Sequence, residues 1–480
     1  MVFIMSTASN ICIEQSQASA VYMFPVSLGQ HRLWLNYQRS PQSSVYNVVS
    51  AVRLVGPLDI DTFSRTVHEI VRRHESLRTH FVAIDGEPQQ VISPCVAVEV
   101  PLVDLIAVPD TEREEHARRL VQEEIDAPFN IERPPLWRLK LFRLQEQEHV
   151  LVVAMHHIIS DGWSIGVMLR EVSALYSAFV AGKPSPLPEL AIQYADFSEW
   201  ERNLLQGNAL QRQLSYWTAR LSGTPALNLP YDRPKTSPPP GKGGSYVLRV
   251  EPHVAEGLRR LSQQHNATLY MTLLAAYQTL LYRYTGQQDI AVGSNIARRT
   301  RVELEGLIGY FTSNVIIRTK LSHDWGFCKL LGQVREAALE AYANQYIPFD
   351  RVVQELAAER DPNRPLIFHA TFTLQNLPRA EFRLPTLDVT PFETHIAPAK
   401  HDISVFVTDA EGPIFFGVLY NRDLFDPETI TGIFEHYAFL LESIVADPEQ
   451  QLAKLSLCNN WKEGNWSSIR CLAHAHELSA

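Results

Sequence analysis

A histidine pair, an acid and a glycine stand close together in the segment His156-His157-Ile158-Ile159-Ser160-Asp161-Gly162-Trp163. A histidine near its free pKa of ~6.5 is the side chain best suited to accept a proton near neutral pH. Adjacent residues of a strand point to opposite faces. One imidazole, in our interpretation that of His156, therefore has a structural role, and the segment predicts a general base.

The residues after the histidines have physical uses of their own. Gly162 allows a sharp turn and lets a substrate approach the main chain, and N–H groups at the start of a following helix could stabilise an oxyanion. Asp161 could orient the imidazole or pin the loop through an ion pair with an arginine, and we favour the ion pair. A catalytic zinc would need three protein ligands. No third ligand has a suitable spacing, so we expect no metal.

The hydrophobic pattern predicts the elements that position this segment. Residues 136–144 alternate between apolar and polar, and residues 149–159 form a second strand-like run that is apolar enough for burial on both faces. The polar residues between the two runs indicate a hairpin. A helix is predicted from Trp163 to about Val180.

The order of strand and helix recurs in the two halves of the chain. A strand at 47–55 precedes a helix to about His74, and a strand at 414–421 precedes a helix at 427–445. We therefore predict an α/β fold with two lobes of similar plan. The predicted organisation is an irregular lead-in at 1–22, an N-terminal lobe at 23–200, a C-terminal lobe at 201–456 with a Pro/Gly-rich linker at 222–246, and an atypical tail at 457–480.

Composition excludes several classes of function. The net charge of −10 argues against nucleic acid as the main partner. The five cysteines form no C-x-x-C pair, so we expect no disulfide framework and a cytoplasmic location. We find no secretory signal, and no run of about 18 apolar residues, so we expect no membrane span.

Gly243-Gly244-Ser245, inside the linker, is interpreted as a turn.

The chain resembles the condensation domains of nonribosomal peptide synthetases in a series of ordered motifs across residues 24–455. The histidine segment resembles the third motif. Leu28, Gly29 and His31 match the first motif more loosely than its other residues. The other motifs are Ser27-Leu28-Gly29-Gln30-His31-Arg32-Leu33-Trp34, Arg73-His74-Glu75-Ser76-Leu77-Arg78-Thr79-His80-Phe81, Tyr194-Ala195-Asp196-Phe197-Ser198-Glu199-Trp200, Ile308-Gly309-Tyr310-Phe311-Thr312-Ser313-Asn314, Asn344-Gln345-Tyr346-Ile347-Pro348-Phe349-Asp350 and Arg360-Asp361-Pro362-Asn363-Arg364-Pro365-Leu366.

The resemblance implies two chloramphenicol-acetyltransferase-like lobes in a V-shaped pseudo-dimer with an active-site tunnel between them. Donor and acceptor carrier proteins would each insert a phosphopantetheine arm, and the acceptor amine would attack the donor thioester to form an amide. The expected partners are these carrier proteins and the adenylation domain of a module. No cofactor is expected on the chain itself, because a thioester is already activated.

The resemblance also implies roles for individual residues. His157 is the catalytic histidine, with Gly162 beside it, and Asp161 forms a structural ion pair with an arginine of the other lobe, for which we choose Arg283. Trp163 belongs to the same structural set. Arg73 and Arg78 could steady the segment 156–163, but a helix-end charge cluster would have the same sequence. Ser313 and Asn314 would line the substrate tunnel, and Asn314 could instead cap a turn.

The subtype and two rival functions stay open. Trp163-Ser164 is typical of members that accept an L-configured donor, and a starter type that takes a fatty acyl donor is the alternative. The rivals are an ester-forming acyltransferase of the same superfamily and a non-catalytic, condensation-like docking module. Docking modules often lose part of the histidine motif, which is complete here. We expect carrier proteins to act in trans, because we recognise no carrier or adenylation domain in the chain.

Overall fold

The computed structural model describes residues 4–5, 9–12, 22–235, 241–347, 349–357, 368–375, 382–392, 398–410 and 412–457. The predicted tail, apart from its first residue, and the motif at 360–366 lie outside these residues. The chain divides into two compact units. The first comprises Met1–Ala209, Ala297–Thr312 and Leu377–His395, and the second comprises the remainder. Three segments that we predicted for the C-terminal lobe, 201–209, 297–312 and 377–395, therefore belong to the first unit.

The helices and strands follow one another along the chain with several runs of one type. The first half contains β1 (Ile4–Met5), β2 (Ser9–Cys12), β3 (Tyr22–Pro25), α1 (Leu28–Arg39), β4 (Asn47–Val55), α2 (Ile60–Arg73), β5 (Thr79–Ile84), β6 (Glu87–Ile92), β7 (Cys95–Val98), β8 (Leu102–Asp104), α3 (Asp110–Asp126), β9 (Trp137–Gln145), β10 (Glu148–His156), α4 (Gly162–Val180), α5 (Tyr194–Leu204) and α6 (Gly207–Leu221). The second half contains β11 (Gly243–Val250), α7 (Pro252–Gln264), α8 (Leu269–Thr285), β12 (Asp289–Ile296), α9 (Val302–Glu305), β13 (Ser313–Lys320), α10 (Phe327–Ala343), α11 (Phe349–Ala357), β14 (Ala370–Leu374), β15 (Asp388–Pro391), β16 (Ile403–Asp409), β17 (Ile414–Asn421) and α12 (Pro427–Ala446).

The first unit is built on a six-stranded sheet in the order β1-β8-β9-β10-β4-β15. The predicted hairpin is present as the antiparallel pair β9–β10, and β10 also pairs antiparallel with β4. Leu151 and Met155 of β10 belong to the hydrophobic cluster that includes residues of α2 and α4. Val150 and Val152 belong to a second cluster with residues of α3. The strand is buried on both faces, as its apolar run predicted.

The second unit is built on a six-stranded sheet in the order β11-β17-β16-β14-β12-β13. Its largest hydrophobic cluster joins α7, α8, α10 and α12 to this sheet. The pair β12–β14 and the pair β14–β16 are parallel, whereas the others are antiparallel. No helix in the described part of the chain is long and apolar enough to cross a membrane.

Two predictions of irregular structure are wrong. Gly243-Gly244-Ser245 is not a turn but the start of β11, which pairs with Leu419 to Asn421 of β17. Gly244 is needed there because a Cβ atom would lie 2.4 Å from the ring of Tyr420. The lead-in also contains two short strands, because β1 pairs with β8 and β2 pairs with β7.

The predicted pairs of strand and helix are both present, because β4 precedes α2 in the first unit and β17 precedes α12 in the second. The plan that the two units share includes further elements. In the first unit β10 leads to α4, which Asp161 caps, and β10 pairs with a strand, β4, that precedes α2. In the second unit β17 leads to α12, where Asp426 occupies the N-cap position without a side-chain capping hydrogen bond. β17 pairs with β11, which precedes α7. The two units therefore share a local plan of strands and helices.

Two tyrosines in the core of the second unit provide a matched test of this packing. Tyr277 and Tyr437 are both fully buried, and their rings meet edge to face at 6.1 Å. The Tyr437 hydroxyl donates to the Leu273 carbonyl (2.7 Å), whereas the Tyr277 hydroxyl has no hydrogen-bond partner among the described residues.

We expect Tyr437→Phe to lower the free energy of unfolding by about 1 kcal/mol, because a buried hydrogen bond is lost. Tyr277→Phe should leave this free energy unchanged or raise it, because an unpaired polar group leaves the core. Urea unfolding of both variants measures the difference. Equal destabilisation by the two substitutions would contradict the packing described for this core.

Candidate active site

His156 is the last residue of β10 and lies in the interior of the first unit. Its Nδ1 accepts a hydrogen bond from the Ile158 amide (3.1 Å), so a neutral ring carries its proton on Nε2. The ring contacts Phe129 edge to face, with centroids 6.2 Å apart. These contacts join the strand to the turn that follows it.

His157 lies just beyond the strand, in a 3₁₀ turn at His157–Ile159, although we predicted that the strand would extend to 159. Its amide donates to the Tyr46 carbonyl (2.7 Å), which ends the strand pairing at this point. Its Nδ1 donates to the Ser160 carbonyl (2.7 Å). This hydrogen bond leaves the lone pair of the neutral ring on Nε2, so the two adjacent histidines hold opposite tautomers.

The carboxylate of Asp161 is completely buried and caps α4. Its Oδ1 accepts from the Ser164 amide (2.8 Å) and the Ser164 hydroxyl (2.7 Å), and its Oδ2 accepts from the Phe311 amide (3.1 Å) and, more distantly, from the Thr312 hydroxyl (3.4 Å). The Ser164 hydroxyl in turn accepts from the Gly309 amide (3.1 Å). Asp161 and Ser164 thus tie the start of α4 to residues 309–312.

The arginine that pairs with Asp161 is Arg299, so the predicted pairing with Arg283 is wrong. Arg299 Nη2 lies 3.2 Å from Asp161 Oδ1, and its side chain is 1% exposed. Burial lowers the pKa of Arg299, and Asp161 opposes this shift by stabilising the charged form. Arg283, in the second unit, donates instead to the carbonyls of Leu452 and Leu455. Both arginines are chemically suitable, and only the packing of segment 297–312 selects Arg299.

Arg299 also holds its own segment together. Its Nη1 donates to the carbonyls of Leu304 and Leu307, and its guanidinium lies 4.0 Å from the ring centroid of Phe311. Trp163 fastens the same segment through a hydrogen bond from Nε1 to the Glu305 carbonyl (2.9 Å). Asp161 and Trp163, which we predicted to be structural, therefore both bind residues of the segment 297–312.

Tyr310, which we did not single out, lies against the candidate base. Its ring meets that of His157 edge to face, with centroids 5.0 Å apart and planes inclined at 76°. Its carbonyl accepts from the Tyr194 hydroxyl (2.6 Å), which is also 2.9 Å from Ser27 Oγ. Burial raises the pKa of Tyr194 well above its ordinary value, so the phenol keeps the proton that it donates. Gly309 is glycine because a Cβ atom there would lie 2.0 Å from the ring of Tyr194.

Gln30 is a second residue that sequence reasoning missed. Its Nε2 donates to the Ile158 carbonyl (3.2 Å) in the turn that carries His157. Its Oε1 accepts from the Ser27 amide, and its own amide donates to Ser27 Oγ, which completes a capping box at the start of α1. The Ser-x-x-Gln spacing predicts the cap, but nothing in that spacing indicates the bond to Ile158.

Gly162 begins α4 with open space on its side-chain side. A Cβ atom there would meet no other atom within 4 Å, and the backbone is not left-handed. The expectation that glycine allows a sharp turn is therefore wrong, because neither the conformation nor the packing requires it. The expectation that glycine leaves room beside the main chain stays a prediction.

The two arginines of the second motif serve the scaffold. Arg73 Nε and His74 Nε2 both bind the carboxylate of Glu171 in α4, at 2.9 and 2.8 Å. Burial would raise the pKa of Glu171, but these two partners outweigh it and the pKa lies below its ordinary value. Arg78 donates to the carbonyls of Val71 and Ser93. These bonds favour the scaffold alternative over direct support of the segment 156–163.

The remaining predicted site residues belong to the second unit. Ser313 and Asn314 begin β13, where they pair with Ile296 and Asn295 of β12. Their role in lining a tunnel stays a prediction. Among the described residues, no group of three or more His, Cys, Asp or Glu side chains could hold a metal ion.

The buried Asp161–Arg299 pair generates a prediction about stability. We expect Asp161→Ala to lower the free energy of unfolding by about 3–5 kcal/mol, because Arg299 is left as an uncompensated buried charge. Urea unfolding measures this loss. The control is Arg301→Ala in the same segment, because its pair with Glu303 is exposed (58% and 50%) and should contribute less than about 1 kcal/mol. A similar small effect of both variants would contradict the role of Asp161.

The chain is similar to known proteins along most of its length. The family model of the condensation domain matches residues 21–463. A linear gramicidin synthase of Brevibacillus parabrevis is 42% identical over 438 residues, which cover 91% of this chain and 8% of that protein. Phosphinothricin tripeptide synthetase PhsC of Streptomyces viridochromogenes is 36% identical over 433 residues, which cover 90% of this chain and 40% of that protein. The chain thus spans less than half the length of either relative.

Solved structures agree in fold. The X-domain from teicoplanin biosynthesis aligns with a TM-score of 0.80 and 27% identity, over 92% of this chain and 99% of that one. The condensation domain from the Monacolin K polyketide synthase MokA aligns with a TM-score of 0.78 and 22% identity, over 91% of this chain and 100% of that one, and shows likeness of fold alone. The predicted α/β fold is confirmed. The chain belongs to the condensation domain family of nonribosomal peptide synthetases, as its ordered motifs predicted.

Proposed function

We propose that this chain forms an amide bond between the acyl or aminoacyl group of a carrier-bound donor thioester and the amine of a carrier-bound aminoacyl acceptor. The family consists of acyltransferases. The observation that carries the proposal is the hydrogen bond from His157 Nδ1 to the Ser160 carbonyl, because it makes Nε2 the basic nitrogen of the ring. Trp163-Ser164 supports an L-configured donor.

The proposed reaction needs a base and an aligned pair of substrates. The acceptor nitrogen attacks the thioester carbon, a C–N bond forms, and the C–S bond breaks. His157 Nε2 takes the proton that the amine loses and returns it to the departing thiolate. Alignment contributes on the order of 7–11 kcal/mol, and a positioned base contributes ~10²–10⁴-fold.

The start of α4 is the proposed site of oxyanion stabilisation. The amides of Ser164 and Ile165 already donate to the side chain and the carbonyl of Asp161. The amides of Gly162 and Trp163 precede them at the positive end of the helix dipole. We assign the oxyanion to these two amides, since the open space at Gly162 lets a substrate approach the main chain there.

The partners follow from this assignment. We propose that the substrates arrive on phosphopantetheine arms of donor and acceptor carrier proteins that an adenylation domain has helped to load. We further propose that the chain itself uses no bound cofactor, since a thioester needs no further activation. We also propose that it works in the cytoplasm, which its cysteine pattern supports. The V-shaped pseudo-dimer with its tunnel stays a prediction from the family resemblance.

Substitution of His157 tests the proposal. We expect His157→Ala to lower kcat by about 10²–10⁴-fold with the native acceptor, because the base is lost, and to keep the melting temperature. Mass spectrometry of the carrier-bound product measures the rate. Full activity of this variant would refute the assignment of the base.

Two controls accompany this measurement. His156→Ala should lower the melting temperature, because its buried ring joins β10 to the turn. An alcohol acceptor, offered against the same carrier-bound donor, separates amide from ester formation, and we expect product from the amine alone. A wild-type protein that binds loaded carriers but forms no product would favour the docking module.

Two glycines of α4 form a matched pair for a second test. Gly162 and Gly166 both have open space where a Cβ would lie. We expect Gly162→Ala to fold normally but to lose most condensation activity, because the methyl group occupies space that the substrate needs. Gly166→Ala should keep its activity and gain stability of up to about 1 kcal/mol from better helix propensity. Equal activities in the product assay would contradict the proposed role of Gly162.

A further inference from the structure

Gly29 stands in the first turn of α1, directly beside the ring of Tyr310. A Cβ atom at Gly29 would lie 2.9 Å from Cε1 and 3.1 Å from Cδ1 of that ring. The backbone of Gly29 is not left-handed, so its conformation does not require glycine. Glycine also weakens a helix relative to alanine. The space occupied by the Tyr310 ring therefore explains this glycine, which is one of the looser matches to the first motif.

The Tyr310 ring also meets the imidazole of His157. The two rings meet edge to face, with centroids 5.0 Å apart. Tyr310 is only 7% exposed. If a methyl group at Gly29 displaced the Tyr310 ring, the ring would therefore have to move against other buried groups. The order of contacts is thus α1, then the phenol ring, then the imidazole.

The main chain on both sides of this ring is held in place. The Tyr310 carbonyl accepts from the buried Tyr194 hydroxyl (2.6 Å). The next amide, that of Phe311, donates to the buried carboxylate of Asp161 (3.1 Å). These bonds anchor the main chain and so oppose a shift of the segment that would take the ring away from His157.

We propose that Tyr310 is a positioning residue, which confines the imidazole of His157 to the orientation in which its Nδ1 donates to the Ser160 carbonyl. Gly29 leaves the room that this ring needs. The inference rests on the proposed role of His157 as the base. An edge-to-face aromatic contact favours one ring orientation, and a base is effective only while its acceptor nitrogen points at the reacting amine.

Substitutions of Tyr310 test the role of the ring. We expect Tyr310→Leu to lower kcat roughly tenfold, in line with the strength of such aromatic pairs, and to leave KM within about twofold of the wild-type value. Tyr310→Phe keeps the ring and should restore most of kcat. Loss of kcat in the phenylalanine variant as severe as in the leucine variant would overturn the proposal.

Substitution of Gly29 tests the same contact from its other side. We expect Gly29→Ala to lower kcat at least tenfold, because the displaced ring pushes His157 away from Ser160. The double variant Gly29→Ala/Tyr310→Leu should melt above Gly29→Ala alone, since the clash is relieved, while its kcat stays at the level of Tyr310→Leu. The control is Gly332→Ala. Gly332 lies in α10 with open space where a Cβ atom would lie, so this substitution should lower neither kcat nor the melting temperature.

Nitrogen NMR of protein labelled with ¹⁵N-histidine provides a readout that does not depend on activity. The His157 signals are identified by their absence in His157→Ala. We expect the Nδ1–H tautomer to dominate in the wild type and Tyr310→Phe, and a mixture of tautomers in Tyr310→Leu and Gly29→Ala. Unchanged His157 shifts and kcat in Tyr310→Leu and Gly29→Ala would overturn the inference. Full activity of His157→Ala would instead refute the proposed assignment of His157 as the base.

Discussion

Asp161 carries its carboxylate in the interior of the first unit, where a charge is tolerated only with partners close at hand. Those partners come from two places, the first turn of α4 and the segment 297–312. The carboxylate therefore determines where α4 begins relative to that segment. Since the turn with His157 directly precedes Asp161, the same charge also sets the position of the candidate base.

The contacts around the base form a closed path through the first unit. His157 meets Tyr310, whose carbonyl binds Tyr194, whose hydroxyl meets Ser27 at the start of α1. Gln30, in the same capping box, returns to the turn through the Ile158 carbonyl. Residues from four separate motifs thus support one imidazole. Such support matters because a small displacement of a base can cost orders of magnitude in rate.

The second unit repeats this local plan without its chemistry. Asp426 occupies the N-cap position of α12 after β17, although its side chain makes no capping hydrogen bond there. It pairs with Arg233, as Asp161 pairs with Arg299. That second pair is about half exposed, so it contributes little to stability. After β17 the chain continues with Arg422, where a histidine follows β10. The repeated strand–acid–helix arrangement is therefore a property of the scaffold, and the function depends on the side chains that one copy carries.

Local patterns in the sequence determined the hairpin β9–β10, the helix α4 and, through the ordered motifs, the family. Each of these patterns consists of residues that lie close together in the chain. Only the tertiary structure decided that Arg299 rather than Arg283 meets Asp161, that Gly243-Gly244-Ser245 forms a strand edge, and that the two histidines hold opposite tautomers. An arginine partner, a strand neighbour and the carbonyl that accepts an imidazole proton are each supplied by chain folding. The residue types are compatible with several such partners, and packing selects one of them.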